Sequence, residues 1–123
     1  MSMSVEAWRA TVKEHDLQVT VLEQLERRAA PGVFWFAVPN AGKRGRLAAR
    51  MLKEEGMRAG VADLCVMLPA GKVAWLELKT RRGRQTEQQV MFGLVCASLN
   101  HPYHMARTLD EAVGFLKQVG ALR

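Results

Sequence analysis

The 123 residues, 49% hydrophobic and 24% charged, have the composition of one globular domain spanning residues 1–123, neither disordered nor membrane-embedded. Eighteen Lys and Arg stand against twelve Asp and Glu, a net charge of +6 that suits a polyanionic partner, nucleic acid being the commonest. The N-terminal run MSMSVEAWRATVKEHD has no apolar signal core and no stretch is long enough to span a bilayer, so a soluble, cytoplasmic protein is expected. Cys65 and Cys96 lie inside apolar runs and read as small core residues in a reducing compartment, and no Cys/His spacing matches a zinc site.

The first predicted helix runs from about Ser4 to Arg28, with Leu17, Val21, Leu22 and Leu25 as its apolar stripe, and Ala30-Pro31-Gly32 stops it. Val33 to Val38 is a continuous apolar run, read as a buried strand. Ala41 to Gly56 reads as a basic loop leading into a helix with Gly56 past its end. Val61 to Leu68 and Val73 to Lys79 are strands, joined by the turn residues Pro69-Ala70-Gly71-Lys72 into a hairpin. Arg81-Arg82-Gly83-Arg84 is a basic loop, and Thr86 with Gln89 matches a capping box opening a helix to about Leu99. Asn100-His101-Pro102 breaks it, Tyr103 to Arg107 is a short strand, and Thr108 with Glu111 caps a last helix to about Val119. This order implies an α/β fold, a mixed four-stranded sheet flanked by helices.

The chemistry concentrates on the hairpin. Side chains two apart in a strand share a face, so Glu77 and Lys79 project together, about 7 Å apart. Inside the apolar strand Trp75-Leu76-Glu77-Leu78-Lys79 such charges are costly unless paired, metal-bound or functional. Strand pairing around the turn brings Asp63, fourteen residues upstream of Glu77, to the same spot. Two carboxylates, with the Leu78 backbone carbonyl at hand, suit a hard cation such as Mg²⁺ or Mn²⁺, and Lys79 would orient a water or neutralise charge on a phosphate. The alternative is a Glu-Lys pair on an exposed sheet edge with Asp63 as a turn residue. Glu14 lies within about 20° of Leu25 on the helical wheel, on the core-facing stripe with Gln18, while Glu23 points the other way. It is either aimed at the site or a first-turn acid favoured by the helix dipole. The basic residues form two groups, Lys43, Arg44, Arg46, Arg50 and Lys53, then Arg81, Arg82 and Arg84; both suit phosphate binding, or are a solvated face. Gln89 is either a cap partner or a catalytic or phosphate contact.

Taken in order, Glu14-His15-Asp16-Leu17-Gln18, Val38-Pro39-Asn40 with Arg44, Gly56 to Leu64 around Asp63, Leu76-Glu77-Leu78-Lys79, and Gly83 to Gln89 resemble the VRR-NUC domain, the virus-type replication-repair nuclease branch of the PD-(D/E)XK superfamily. The resemblance runs from about Glu14 to the last helix. It implies a restriction-endonuclease-like core and Mg²⁺- or Mn²⁺-dependent hydrolysis of DNA phosphodiesters. It carries metal ligation onto Asp63, Glu77 and the Leu78 carbonyl, with Glu14 as an auxiliary acid acting directly or through water. It carries the lysine role onto Lys79 and the glutamine of the following helix onto Gln89. Ala62 stands where the family usually has proline before the aspartate; a proline supplies no ligand, so altered stiffness is expected there and not lost activity. Short standalone members, typically from phages, resemble homodimeric Holliday-junction resolvases, which implies branched or flapped DNA as substrate. The other function class open to the same fold is a catalytically idle nucleic-acid-binding module. A homodimer is expected on physical grounds too, because the helix after Thr86 carries Val90, Met91, Phe92, Leu94, Val95 and Leu99 around nearly all its circumference. The competing cover for that surface is the first or last helix of the same chain.

Overall fold

The computed structural model describes residues 4–39 and 45–123; Asn40, Lys43 and Arg44 lie outside the described residues. Helix α1 (Val5–Arg28) starts where the Ser4 hydroxyl accepts the Ala7 N–H at 3.1 Å. Its stripe is as expected, with Val21 and Leu25 fully buried and Leu17 and Leu22 packed beside them. After it come β1 (Phe34–Ala37), α2 (Arg46–Glu54), β2 (Leu64–Leu68), β3 (Lys72–Leu78), α3 (Glu87–Ser98), β4 (Tyr103–Ala106) and α4 (Leu109–Gln118). The strands form one sheet in the order β1-β2-β3-β4, antiparallel up to β3 and parallel between β3 and β4. The expected mixed four-stranded α/β fold is therefore present. No helix among the described residues is long and apolar enough to cross a membrane.

Alternation divides the sheet into two unlike faces. On one, Leu64, Val66, Ala74, Leu76, Leu78 and Ala106 meet Val21 and Leu25 of α1 and Ala112, Phe115 and Leu116 of α4. Each leucine fully buried here contributes about 2 kcal/mol. The other face carries Cys65, Trp75, Glu77 and Tyr103, and α3 packs on part of it. The Phe92 ring meets Trp75 edge-on at 5.2 Å and Tyr103 at 6.0 Å. Gly93 makes this fit possible, since a Cβ there would lie 3.0 Å from the Tyr103 ring. Cys65 and Cys96 are buried free thiols, as read from their apolar settings.

Two expectations are corrected. The run Val33 to Val38 reads as a buried strand, but β1 is an edge strand, paired among the described residues only with β2. Trp35 turns to the core while Phe34 and Phe36 stay 63% and 43% exposed on the other face, because α3 covers the β3–β4 side and stops short of β1. The second strand was placed from Val61, yet pairing starts only at Leu64. Before it, Gly60 takes φ +88° and presses on the first turn of α3: a Cβ at Gly60 would sit 2.3 Å from the Gln88 carbonyl carbon.

This contact generates a stability prediction. Gly60→Ala meets both a left-handed backbone and a backbone clash, and is expected to cost about 3 kcal/mol. Gly56→Ala, at φ +101° with open space around it, is expected to cost about 1 kcal/mol. Urea unfolding of both variants checks the order.

Candidate active site

Glu77 lies in β3, an interior strand, and is 1% exposed, the one buried side chain of a normally charged residue among the described residues. An exposed Glu-Lys pair on a sheet edge is thereby excluded. The β2–β3 register pairs Leu64 with Leu76, so the next position sets Asp63 opposite Glu77. There the ladder opens. The Leu78 N–H donates to Asp63 Oδ2 at 2.7 Å, and the Asp63 carbonyl accepts the Val38 N–H at 2.8 Å. The Asp63 carboxylate thus takes the place of a backbone acceptor and is held against β3 at the position of the predicted Leu78 ligand.

The two acids interact directly. Burial foremost, then the hydrogen bond that protonated Glu77 donates to Asp63 and the negative charge of Asp63, push the Glu77 carboxyl up to about 9, with Lys79 opposing and Glu14 adding to the rise. Two carboxyl groups this close share a proton unless a cation intervenes. Among the described residues the buried Glu77 Oε2 has no hydrogen-bond partner, an atom of the kind that ordinarily must be satisfied. A hard divalent cation is the ligand that this donor set fits: it would satisfy Oε2 and replace the shared proton.

Glu14 approaches from α1. Burial raises its carboxyl above the ordinary range, the Lys79 charge lowers it and the Asp63 charge raises it, so three acids and one lysine share one electrostatic neighbourhood. Among the described residues no group of three or more acids, histidines or cysteines forms a metal cage, so Glu14 does not complete one with Asp63 and Glu77. Lys79 follows β3, its N–H donating to the Ala106 carbonyl at 3.0 Å. Gln89 closes the capping box: its Oε1 accepts the Thr86 N–H at 2.8 Å and its own N–H donates to the Thr86 hydroxyl at 3.2 Å. Its side-chain nitrogen is still a donor.

Arg81, Arg82 and Arg84 are exposed, on a loop whose backbone is fastened from behind. Arg107 Nη1 donates to the carbonyls of Thr80 at 2.8 Å, Arg81 at 3.2 Å and Gly83 at 2.6 Å. Nothing in the sequence distinguishes Arg107, since three carbonyls from a loop more than twenty residues away carry no local signal. Tyr103 was also missed; it accepts from Gln85 Nε2 at 2.8 Å, and burial first, then the Glu77 charge, push its hydroxyl up to about 12. On α2, Arg46, Arg50 and Lys53 fall at helical spacing. Arg50 pairs with Glu54 at 3.1 Å, a contact exposed enough to contribute little.

A solved structure named "VRR_NUC domain protein" superposes with a TM-score of 0.71 at 19% identity, over 85% of each chain. The chain has the VRR-NUC domain fold. A second solved structure, "VRR_NUC domain", gives 0.60 at 17% identity over 85% of this chain and 95% of the other. No protein-family model and no curated protein matches the sequence significantly. Within this VRR-NUC fold the acidic pair sits where β2 and β3 separate, with α1 and the Arg107-fastened loop beside it.

The sign of the Glu77 shift generates a prediction. A carboxyl raised from 4.5 to about 9 stabilises the fold fully below the unfolded value, and that contribution is lost as pH rises through the folded one. Glu77→Gln keeps a donor for Asp63 and has no proton to lose. In EDTA, calorimetric Tm values are expected to fall from pH 5 to pH 9 for wild type relative to Glu77→Gln. Parallel curves would contradict it.

Proposed function

We propose that the chain is a metal-dependent endonuclease hydrolysing DNA phosphodiesters, with Asp63, Glu77 and Lys79 as its catalytic residues. The observation that carries this is the buried, unpartnered Glu77 Oε2 beside an Asp63 carboxylate already anchored by the Leu78 N–H. Asp63, Glu77 and the Leu78 carbonyl would hold Mg²⁺ or Mn²⁺. When bound, such a cation polarises a phosphoryl oxygen and lowers the pKa of its water. Lys79 holds the attacking water in line or stabilises charge developing on the phosphate. Glu14, outside the pair, acts through water on the same centre. Gln89 contributes its side-chain N–H to a phosphate oxygen, and Arg46, Arg81, Arg82 and Arg84, with Lys43 and Arg44, bind flanking phosphates. The preferred substrate is branched or flapped DNA of the Holliday-junction or flap type.

The working unit is a homodimer formed through α3. Its inner side, with Phe92 and Cys96, is used against the sheet, and α1 and α4 pack on the opposite sheet face. Val90, Met91, Leu94, Val95 and Leu99 remain 43–63% exposed, so neither helix of the same chain covers them. An isologous contact there would set two sites in fixed relation.

Asp63→Ala and Glu77→Ala are each expected to abolish cleavage of four-way and flapped DNA in Mg²⁺ or Mn²⁺ with the fold intact. Lys79→Ala is expected to slow it by about 10²-fold or more while keeping metal binding by calorimetry. Wild-type rates for Asp63→Ala would refute the assignment, and an idle module would cleave nothing at all. For the dimer, light scattering under cleaving conditions is expected to give twice the chain mass of 13.7 kDa; a monomeric mass rules it out.

A further inference from the structure

Two of the exposed apolar surfaces, on α3 and on β1, differ chemically. The outer side of α3 is aliphatic, from Val90 to Leu99, with no aromatic ring among its exposed residues. The outer face of β1 is aromatic: Phe34 and Phe36, two residues apart on the same side, have ring centroids 6.2 Å apart at 46°. The register pairs Phe36 with Cys65 and Phe34 with Met67, which places both rings on the face that carries Asp63 and Glu77. Asp63 is the next residue of that face beyond Cys65, so its Cα lies about 7–8 Å diagonally from that of Phe36. The hydrogen bond from the Val38 N–H to the Asp63 carbonyl, 2.8 Å, ties the end of β1 to Asp63 and fixes the rings relative to the acids.

Exposed rings on an edge strand invite unwanted pairing and need an occupant. In a chain of charge +6, with phosphate-binding arginines proposed beside the acids, the occupant that combines a flat π-face with negative charge is a nucleic acid strand. Stacked bases inside a duplex offer no free face; unpaired ones do. We propose that Phe34 and Phe36 form a stacking platform for unpaired DNA bases next to the scissile phosphate, which would select substrates with single-stranded segments at the site. The proposal rests on the nuclease reading above and adds the element that recognises the unpaired strand.

The test measures binding of a 2-aminopurine-labelled single-stranded oligonucleotide, and of a blunt duplex of the same sequence, in EDTA so that no cleavage occurs. Wild type is expected to quench the single-strand probe by stacking. Phe34→Leu/Phe36→Leu keeps apolar bulk without a π-face, and is expected to weaken single-strand binding about tenfold or more with duplex affinity unchanged. Phe36→Trp is expected to retain the quench. Unchanged single-strand affinity in the leucine variant, equal loss on both probes, or conversion of a dimer to a monomer by light scattering overturns the platform, the last outcome assigning the rings to a second copy of the chain. Cleavage of DNA by wild type alongside any of these leaves the nuclease assignment standing. A wild type that neither binds nor cleaves DNA defeats both.

Discussion

The hydrogen bond from the Leu78 N–H to Asp63 Oδ2, 2.7 Å long, is the interaction on which the candidate site depends. A backbone N–H beyond the end of a ladder needs another acceptor, and a carboxylate is a stronger one than a carbonyl. By taking that place Asp63 ends the β2–β3 pairing and is pinned opposite Glu77. It also leaves a gap in an otherwise regular sheet. Burial foremost, and the neighbouring Asp63 after it, push the Glu77 carboxyl up to about 9. Among the described residues Glu77 Oε2 has no hydrogen-bond partner.

The packing around the gap follows from the unequal faces of the sheet. Two helices, α1 and α4, close one face over a leucine-rich core, which supplies the rigidity. Among the described residues the opposite face has only α3, held by Phe92, Trp75 and Tyr103, and none of them covers its β1 side. The acidic pair lies on that second face, which joins a buried polar centre to an exposed surface. Gly60 locks the approach to Asp63 against the start of α3, and Arg107 locks the arginine loop from the other side. Both supports grip backbone atoms of the segments they hold, so Arg81, Arg82 and Arg84 are positioned without using their own side chains as fasteners, while Asp63 is fixed by its carboxylate as well.

Much of this was legible in the residues. The helical stripe ending at Leu25, the capping pair Thr86 and Gln89, the hairpin turn at Pro69 to Lys72 and the convergence of Asp63 with Glu77 all follow from periodicities and spacings that act within a few residues or across one tight turn. The VRR-NUC resemblance was carried by motifs of the same local kind. Gln89 shows the limit of local evidence, since capping and phosphate contact use different atoms of one side chain and the spacing cannot separate them.

What tertiary structure alone decided involves contacts between distant segments. An apolar hexapeptide such as Val33 to Val38 reads as buried wherever it lies, and only the strand order makes β1 an edge with two rings outside. The start of β2 was misjudged because Asp63, which ends the ladder, does so through an N–H fifteen residues away. Arg107 and Tyr103 became part of the site only when β4 was laid parallel to β3. Residue types and short-range spacing, set by helix and strand geometry, determined the elements and nominated the acidic pair. The depth of Glu77, the partnerless Oε2 and the aromatic edge arose from how the sheet was covered, which is a property of chain segments meeting and not of any one of them.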